Sequence, residues 1–490
     1  MITILTTTNH KNEVEQVIKS VDRLEELVSI SIENTNDLNL LIVEDNCITK
    51  PLDWFDMQPP FILPKVEFTQ NNLLAFVFYA IGNHQKAFDY LKEDTEVYNT
   101  ILAATKIQFG YEISEDLYQN ISNSKHNLCV VHQYGNYENR FHISELMQAY
   151  EDAIHSAEDI ELKAFSAKHY INLLIDIQQY DKAETLAKSM LENSLSDEAT
   201  NALKVQLATA MMQQLKVPFN TKSLHQISTL FEEAISFYED KDLKIQAGLL
   251  LIDASEIANY KEDFIVSKDY INKAILYFKE ADIPEFLGEA SQRKATLLYT
   301  WSKNGQPQYY KAAINAYQDT LKVFKRDTHP DKFAEIHHNM ALIYSEIPVS
   351  PEEKPMWTAF CASSFKEALA YFTKEQFPYE YAMISHNYAT ALINFPEAKL
   401  HSNFDKANGL FNEALSVRTA ENFPFERAST LINQVELYWL LNNENSEDEI
   451  DKINQMKSKL DEVKQLTTDA SMLEKVAFHE EKIESLKSVL

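Results

Sequence analysis

From residue 71 onward apolar side chains recur at helical spacing and come in pairs of segments. In NNLLAFVFYAIGNHQKAFDYL, Leu74, Ala75 and Phe78 mark one helix, a turn falls near Gly82-Asn83, and Ala87 and Leu91 mark a second. The pairing returns in AFSAKHYINLLIDIQQYDKAETLAKSML, where Tyr180, Ala183 and Ala187 lie on the second helix. It returns again around Ala234 and around Ala274. Two stretches are nearly the same text: FKEALAYFTKEQFPYEYAMISHNYATAL at 365 to 392 and FNEALSVRTAENFPFERASTLINQVELY at 411 to 438, offset by 411 − 365 = 46 residues. Ala368-Leu369 matches Ala414-Leu415, Phe377-Pro378 matches Phe423-Pro424, Ala382 matches Ala428, and Asn387 matches Asn433.

Proline sets the register of this repeat. Pro284, Pro330, Pro378 and Pro424 each precede a helical pattern, with separations of 330 − 284 = 46, 378 − 330 = 48 and 424 − 378 = 46 residues. Proline suits the first turn of a helix, where its missing N–H costs nothing. Four residues on stand Gly288, Ala334, Ala382 and Ala428, all small, as expected where two helices touch. Nine residues on stand Arg293, Asn339, Asn387 and Asn433.

Paired helices with small residues at fixed positions resemble tetratricopeptide repeats over roughly residues 71 to 440, most closely from 310 to 440. The period exceeds the usual 34 residues, so the helices or the links are longer; KNGQPQYYK around Pro307 and INFPEAKLHSN around Pro396 offer extra turns. The resemblance implies an all-α fold, a right-handed α-solenoid of antiparallel helix pairs. It is a structural signature and transfers no activity.

The two ends read differently. Residues 1–65 mix strand-like alternation at Ile2, Ile4, Val28, Ile30 and Ile32 with a helical pattern at Val14, Val17, Ile18, Val21 and Leu24, and MQPPFILPK closes them. A small cap containing some β structure is expected there, the repeat array at 66–440, and capping helices at 441–490 that cover the last apolar face. LLIVEDN at 40 to 46 and CITKPLD at 47 to 53 look like the first and last strands of a response-regulator receiver. In a receiver several βα units separate those strings, and here they abut, so Asp45 is not expected to be phosphorylated.

Composition narrows the function. Only 7 glycines occur, and no GxGxxG, GxxxxGK[ST] or GxSxG is present, which weakens nucleotide-binding and hydrolase readings. No Ser, Cys or paired carboxylate stands in a recognisable turn with a partner histidine, so the chain is not expected to be an enzyme or to carry a cofactor. A formal net charge of −29 disfavours nucleic acid and anionic membranes. Cys47, Cys129 and Cys361 form no CxxC pair, and neither a signal segment nor a long apolar run is evident, so a soluble cytoplasmic protein is expected.

The candidate binding residues come from the repeat. In tetratricopeptide proteins the position of Asn339, Asn387 and Asn433 borders the concave groove, and the resemblance implies an amide there that holds an extended peptide. An amide both donates and accepts, so it can match any peptide group; alternatively each asparagine ties neighbouring helices together. His338, His386 and Tyr344 stand beside these positions, and Arg293 and Arg427 are the nearby cations. A chaperone-tail clamp would need more basic neighbours than these, whereas rings such as Tyr388, Tyr438 and Trp439 would favour apolar peptide anchors. Two histidine groups have some ligand character: His337, His338 and His386, and His126-x2-Cys129-x2-His132 with His142 beyond, although the latter sits in an apolar run that could simply be packed.

The leading expectation is an adaptor or assembly factor that binds a protein or peptide on the concave face. A second is a signalling regulator similar to the peptide-switched tetratricopeptide proteins that bind response regulators. Those carry an N-terminal helical module, so a strand-containing cap would count against it. A third is a metal- or cofactor-bearing solenoid.

Overall fold

The computed structural model describes residues 2–33, 35, 37–93, 95–121, 124–216, 219–395, 403–441 and 446–487. The chain divides into two compact units, Met1–Asp263 and Phe264–Leu490.

The first unit opens with β1 (Ile2–Thr6), α1 (Lys11–Lys19), β2 (Val28–Ser31), β3 (Leu40–Glu44), β4 (Cys47–Thr49) and β5 (Val66–Glu67). They form one mixed sheet in the order β2-β1-β3-β4-β5, with β1 parallel to both β2 and β3 and the remaining pairs antiparallel. The parallel β1–β2 pair needs a crossover, and α1 supplies it. β3 and β4 are joined tightly because Asp45 and Asn46 both adopt positive φ (49° and 55°), the backbone of a primed hairpin turn that Asp and Asn tolerate. LLIVEDNCIT is therefore one hairpin with Asp45 exposed at its tip.

Eleven further helices complete this unit: α2 (Gln70–Ala80), α3 (His84–Tyr90), α4 (Glu96–Gln108), α5 (Glu115–Asn120), α6 (Lys125–Tyr134), α7 (Ile143–Ser156), α8 (Ile160–Asp176), α9 (Tyr180–Leu191), α10 (Asp197–Gln213), α11 (Thr221–Asp240) and α12 (Lys244–Tyr260). The sheet has no core separate from theirs. Ile2, Ile4, Leu41, Val43 and Ile48 join Val14 and Ile18 of α1 in one apolar cluster with Leu73–Ala80, Ile101 and Ala104. A fully buried Ile, Leu or Phe contributes about 1.5–3 kcal/mol each, so the cap and the first helices fold as one body.

The second unit contains α13 (Phe264–Glu280), α14 (Pro284–Lys303), α15 (Tyr309–Thr320), α16 (Pro330–Glu346), α17 (Lys354–Tyr371), α18 (Pro378–Ile393), α19 (Asn403–Val417), α20 (Pro424–Tyr438), α21 (Ser446–Leu466) and α22 (Ala470–Lys487). The four register prolines open α14, α16, α18 and α20 as the sequence predicts. His329, Phe377 and Phe423 before three of them share one backbone, with φ −140°, −134° and −138° and ψ 68°, 63° and 57°. That conformation lies outside the α region, which the residue before proline avoids.

The small residues one turn later sit where helices touch. Ala334, Ala382 and Ala428 are fully buried, and a Cβ added at Gly288 would lie 2.9 Å from the Phe324 ring. Consecutive helices pack on each other through both units, the hairpin stacking of a tetratricopeptide-like array. Some of the extra period lies in the helices, since α14 runs 20 residues, α16 17 and α17 18. The link around Pro307 turns at Gly305 (φ +85°), while Pro396 lies outside the described residues.

At the C-terminal end α21 buries Ile453, Met456, Leu460 and Val463, and α22 adds Val476 and Ile483 to the same core. Trp439 donates its Nε1–H to His479 Nδ1 at 3.1 Å, which pins α22 close to the end of α20.

Candidate peptide-binding site

The aligned starts of α16, α18 and α20 bring the expected row together in the second unit. Its amides are largely spent on neighbouring repeats. Asn387 Nδ2 donates to His338 Nε2 at 3.0 Å, and Asn433 Nδ2 donates to Thr390 Oγ1 at 3.0 Å and to His386 Nε2 at 3.3 Å. An amide nitrogen can only donate, so both histidines accept on Nε2 and carry their proton on Nδ1. His386 Nδ1 then donates to Thr430 Oγ1 at 3.2 Å, which also accepts from Arg418 Nη1 at 2.8 Å and donates to the Glu426 carbonyl. Asn339, at the start of the row, bonds the Tyr317 hydroxyl instead.

Burial fixes the charge state of this ladder. His338 is 6% exposed and its pKa is pushed down to about 4; His386 is pushed down to about 3 by burial, with the Arg418 guanidinium adding repulsion. Both rings are neutral at physiological pH, and the ladder is a set of neutral hydrogen bonds.

The other expected site residues are also placed. Arg427 donates from Nη1 to the carbonyls of Leu415 (3.1 Å) and Arg418 (2.9 Å) at the end of α19, and pairs through Nε with Glu462 on α21. Its charge thus closes a helix C-terminus and joins α20 to α21. Tyr344 is buried against Trp357 and Phe360. Arg293 lies close enough to Tyr317 for its charge to be felt there. His337 packs on Phe333, with Nδ1 3.4 Å from the Ser364 hydroxyl.

What this face leaves open is apolar. Tyr379 and Phe425, each directly after a register proline, are 42% and 52% exposed. Phe425, Ser429 and Asn433 recur every four residues along α20 and line a cleft of about 230 Å³ with Met472 and Lys475 at the start of α22.

The first unit holds an irregular segment of its own chain. Residues 50–63 leave β4 and run across the helices. The Trp54 ring meets Phe165 edge-on at 5.2 Å, and Phe55 lies against Phe237 and Tyr238. Lys168, 2% exposed, donates to Asp56 Oδ1 at 2.6 Å. Further along, Asn127 grips the backbone of Ile62 in both directions: its Oδ1 accepts from the Ile62 N–H at 2.8 Å, and its Nδ2 donates to the Ile62 carbonyl at 2.9 Å. His126 Nε2 donates to the Pro60 carbonyl at 2.8 Å, and its Nδ1 accepts from Ser166 Oγ at 2.9 Å.

These contacts describe the second histidine group as well. His132 accepts the Phe141 N–H on Nδ1 (3.0 Å) and donates from Nε2 to Tyr118 Oη (2.9 Å). Both nitrogens of His126 and of His132 are thus engaged, Cys129 is fully buried, and His142 sits at the N-terminal end of α7. Among the described residues no group of three potential ligands is close enough to hold an ion.

Asn127 was not among the residues singled out by sequence, but a signal for it exists. His126-Asn127, His338-Asn339 and His386-Asn387 are the same dipeptide on three helices.

No protein-family model matches the chain, and no curated protein sequence matches it. Solved structures with a similar trace include the human IFIT1 dimer with PPP-AAAA, at 10% identity over 85% of this chain and 82% of that chain, TM-score 0.42. They also include Naa15/Naa10 bound to HypK-THB (12% identity, 86% and 76% covered, TM-score 0.36) and the APC/C hetero-tetramer Cut9-Hcn1 (13%, 84% and 76%, TM-score 0.34). At such values nothing these proteins bind is carried over. The class this chain's own helices define is the tetratricopeptide-like helical repeat, with a five-stranded sheet at its N-terminus.

Proposed function

We propose that this chain is a protein-binding scaffold whose helical hairpins hold an extended segment of a partner. The observation that carries this reading is the two-way bond between the Asn127 amide and the backbone of Ile62. An array of this sequence holds backbone groups without regard to side chain, and it does so on its own Pro60 and Ile62. The free counterpart is the face of the second unit presenting Tyr379, Phe425 and the cleft beside Asn433. Exposed aromatics flanked by half-buried amides suit an extended peptide with apolar anchors.

The signalling reading is weakened by the strand-containing cap. The metal-bearing reading is weakened by the hydrogen bonds that already engage both nitrogens of His126, His132 and His386.

The test is quantitative affinity capture from native lysate with the wild-type chain and the surface variant Tyr379→Ser/Phe425→Ser. Both rings are substantially exposed, so the variant is expected to melt like the wild type and to lose its principal partners. Equal recovery by a folded variant removes this face from the proposal. Substituting the asparagines would be a poorer test, because Asn387 and Asn433 hold the repeats together.

A further inference from the structure

A cavity of about 620 Å³ lies wholly within the first unit, between the connection leading into β3, the segment after β4, and the helices α8, α10 and α11. Leu38, Leu40, Leu52 and Phe55 give it apolar walls, and Lys50, Lys241 and four carboxylates line it as well.

The carboxylates are already satisfied by the protein. Glu198 pairs with Lys241 at 2.9 Å; Glu161 accepts from the backbone N–H (2.6 Å) and hydroxyl (3.0 Å) of Ser196; Asp37 accepts from the Thr3 hydroxyl at 2.6 Å. Asp53 accepts from the backbone N–H groups of Phe55 (3.1 Å) and Gln58 (2.7 Å). Lys50 is different. It makes no hydrogen bond or close ion pair with any described residue, although burial lowers its pKa and only the more distant Asp53 carboxylate offsets this. Desolvated ammonium groups are normally paired, so the cavity offers one unmet cation beside an apolar wall.

We propose that this cavity binds a small amphipathic monocarboxylate, its carboxylate on Lys50 and its aliphatic or aromatic body against Leu38, Leu52 and Phe55. Of the two lining lysines only Lys50 lacks a carboxylate at salt-bridge distance, so a single carboxylate is what it can pair. The lining holds four carboxylates against two lysines and is net negative, so a phosphate dianion would be repelled by Asp53 and Glu198 more than a monoanion, and an alkylammonium is the competing occupant that the test must exclude.

The test is calorimetric titration of the full chain with sodium octanoate, octylamine and octyl phosphate as probes. Octanoate is expected to saturate one site per chain, with octylamine silent and octyl phosphate weaker. Lys50→Met, which keeps the stem and removes the charge, should weaken octanoate at least tenfold with an unchanged melting curve. Leu38→Asp, at an exposed wall position, should weaken it comparably. The proposal fails if octanoate shows no saturable binding, if octylamine or octyl phosphate binds as tightly, or if either folded variant binds octanoate like the wild type.

Discussion

The same dipeptide does opposite work in the two units. In the first unit His126 and Asn127 face the segment after β4: His126 spends its donor on the Pro60 carbonyl, and Asn127 spends a donor and an acceptor on the backbone of Ile62. In the second, His338 and His386 are met by the asparagine of the following repeat, and no backbone is held. The chemistry of the pair is constant: an amide and a neutral imidazole each both donate and accept. What differs is which polar group is buried beside them. A helix that neighbours the cap meets the linker, and a helix stacked between equivalent helices meets its own repeat.

The largest effect should appear where that pair carries backbone. Asn127→Ala strands both the N–H and the C=O of Ile62, and an unsatisfied buried group costs about 1–3 kcal/mol. Local opening of residues 60–63 should become easier by about 3 kcal/mol. Hydrogen exchange at the Ile62 amide checks this, and unchanged protection would show that the amide is not what holds the segment.

Acid should act next, through the buried rings of both units. The folded-state pKa values of His386 (about 3) and His338 (about 4) lie below the ordinary value of about 6.5. The folded state therefore binds fewer protons than the unfolded state. The stability each ring contributes is complete above about pH 6.5 and is lost as the pH falls from there toward 4 and 3, by up to about 1.4 kcal/mol per pH unit per ring. His126 is likewise pushed down to about 4. Its Nδ1, however, faces a Ser166 hydroxyl that can rotate to accept a proton, whereas a proton on His386 Nε2 meets the Asn433 donor and forces that amide to turn over. α6 carries a second ring pushed down to about 4, His132, so exchange protection should fall with acid in α6 as well as in α18 and α20; what differs is the group that must yield, a hydroxyl beside His126 and an amide beside His386. His386→Gln, which cannot titrate, should flatten the slope in α18 and α20 and leave that of α6 unchanged; an unaltered slope in α18 and α20 would show that this ring is not what acid attacks there.

The smallest effect belongs to the ladder itself. Asn433→Ala removes two neutral bonds whose partners keep others, since Thr390 still donates to the His386 carbonyl and His386 still bonds Thr430. A loss of about 1 kcal/mol is expected, read as local opening because a repeat array need not unfold in one step. A loss as large as that at Asn127 would mean the ladder is as essential to its unit as the backbone grip is to the other.

Much of the architecture is written in local residues. Proline cannot sit inside a helix, so Pro284, Pro330, Pro378 and Pro424 mark starts whatever surrounds them; Ala334, Ala382 and Ala428 are small because helices cross there. Asp45-Asn46 announces a tight hairpin by the same kind of local rule. The division after Asp263 has no comparable mark, because it follows from how cores close in space.

The sequence by itself therefore determined the helices, their pairing and the positions of the polar letters, since backbone sterics and helical periodicity act within a few residues. The tertiary structure decided what those letters do. Asn127 and Ile62 are 65 positions apart in the chain, and Asn433 and His386 are 47 apart. Lys50 is left uncommitted because every carboxylate in its cavity found another partner. Hydrogen bonding inside a protein is a competition among whatever groups packing buries together, and packing is settled between distant segments.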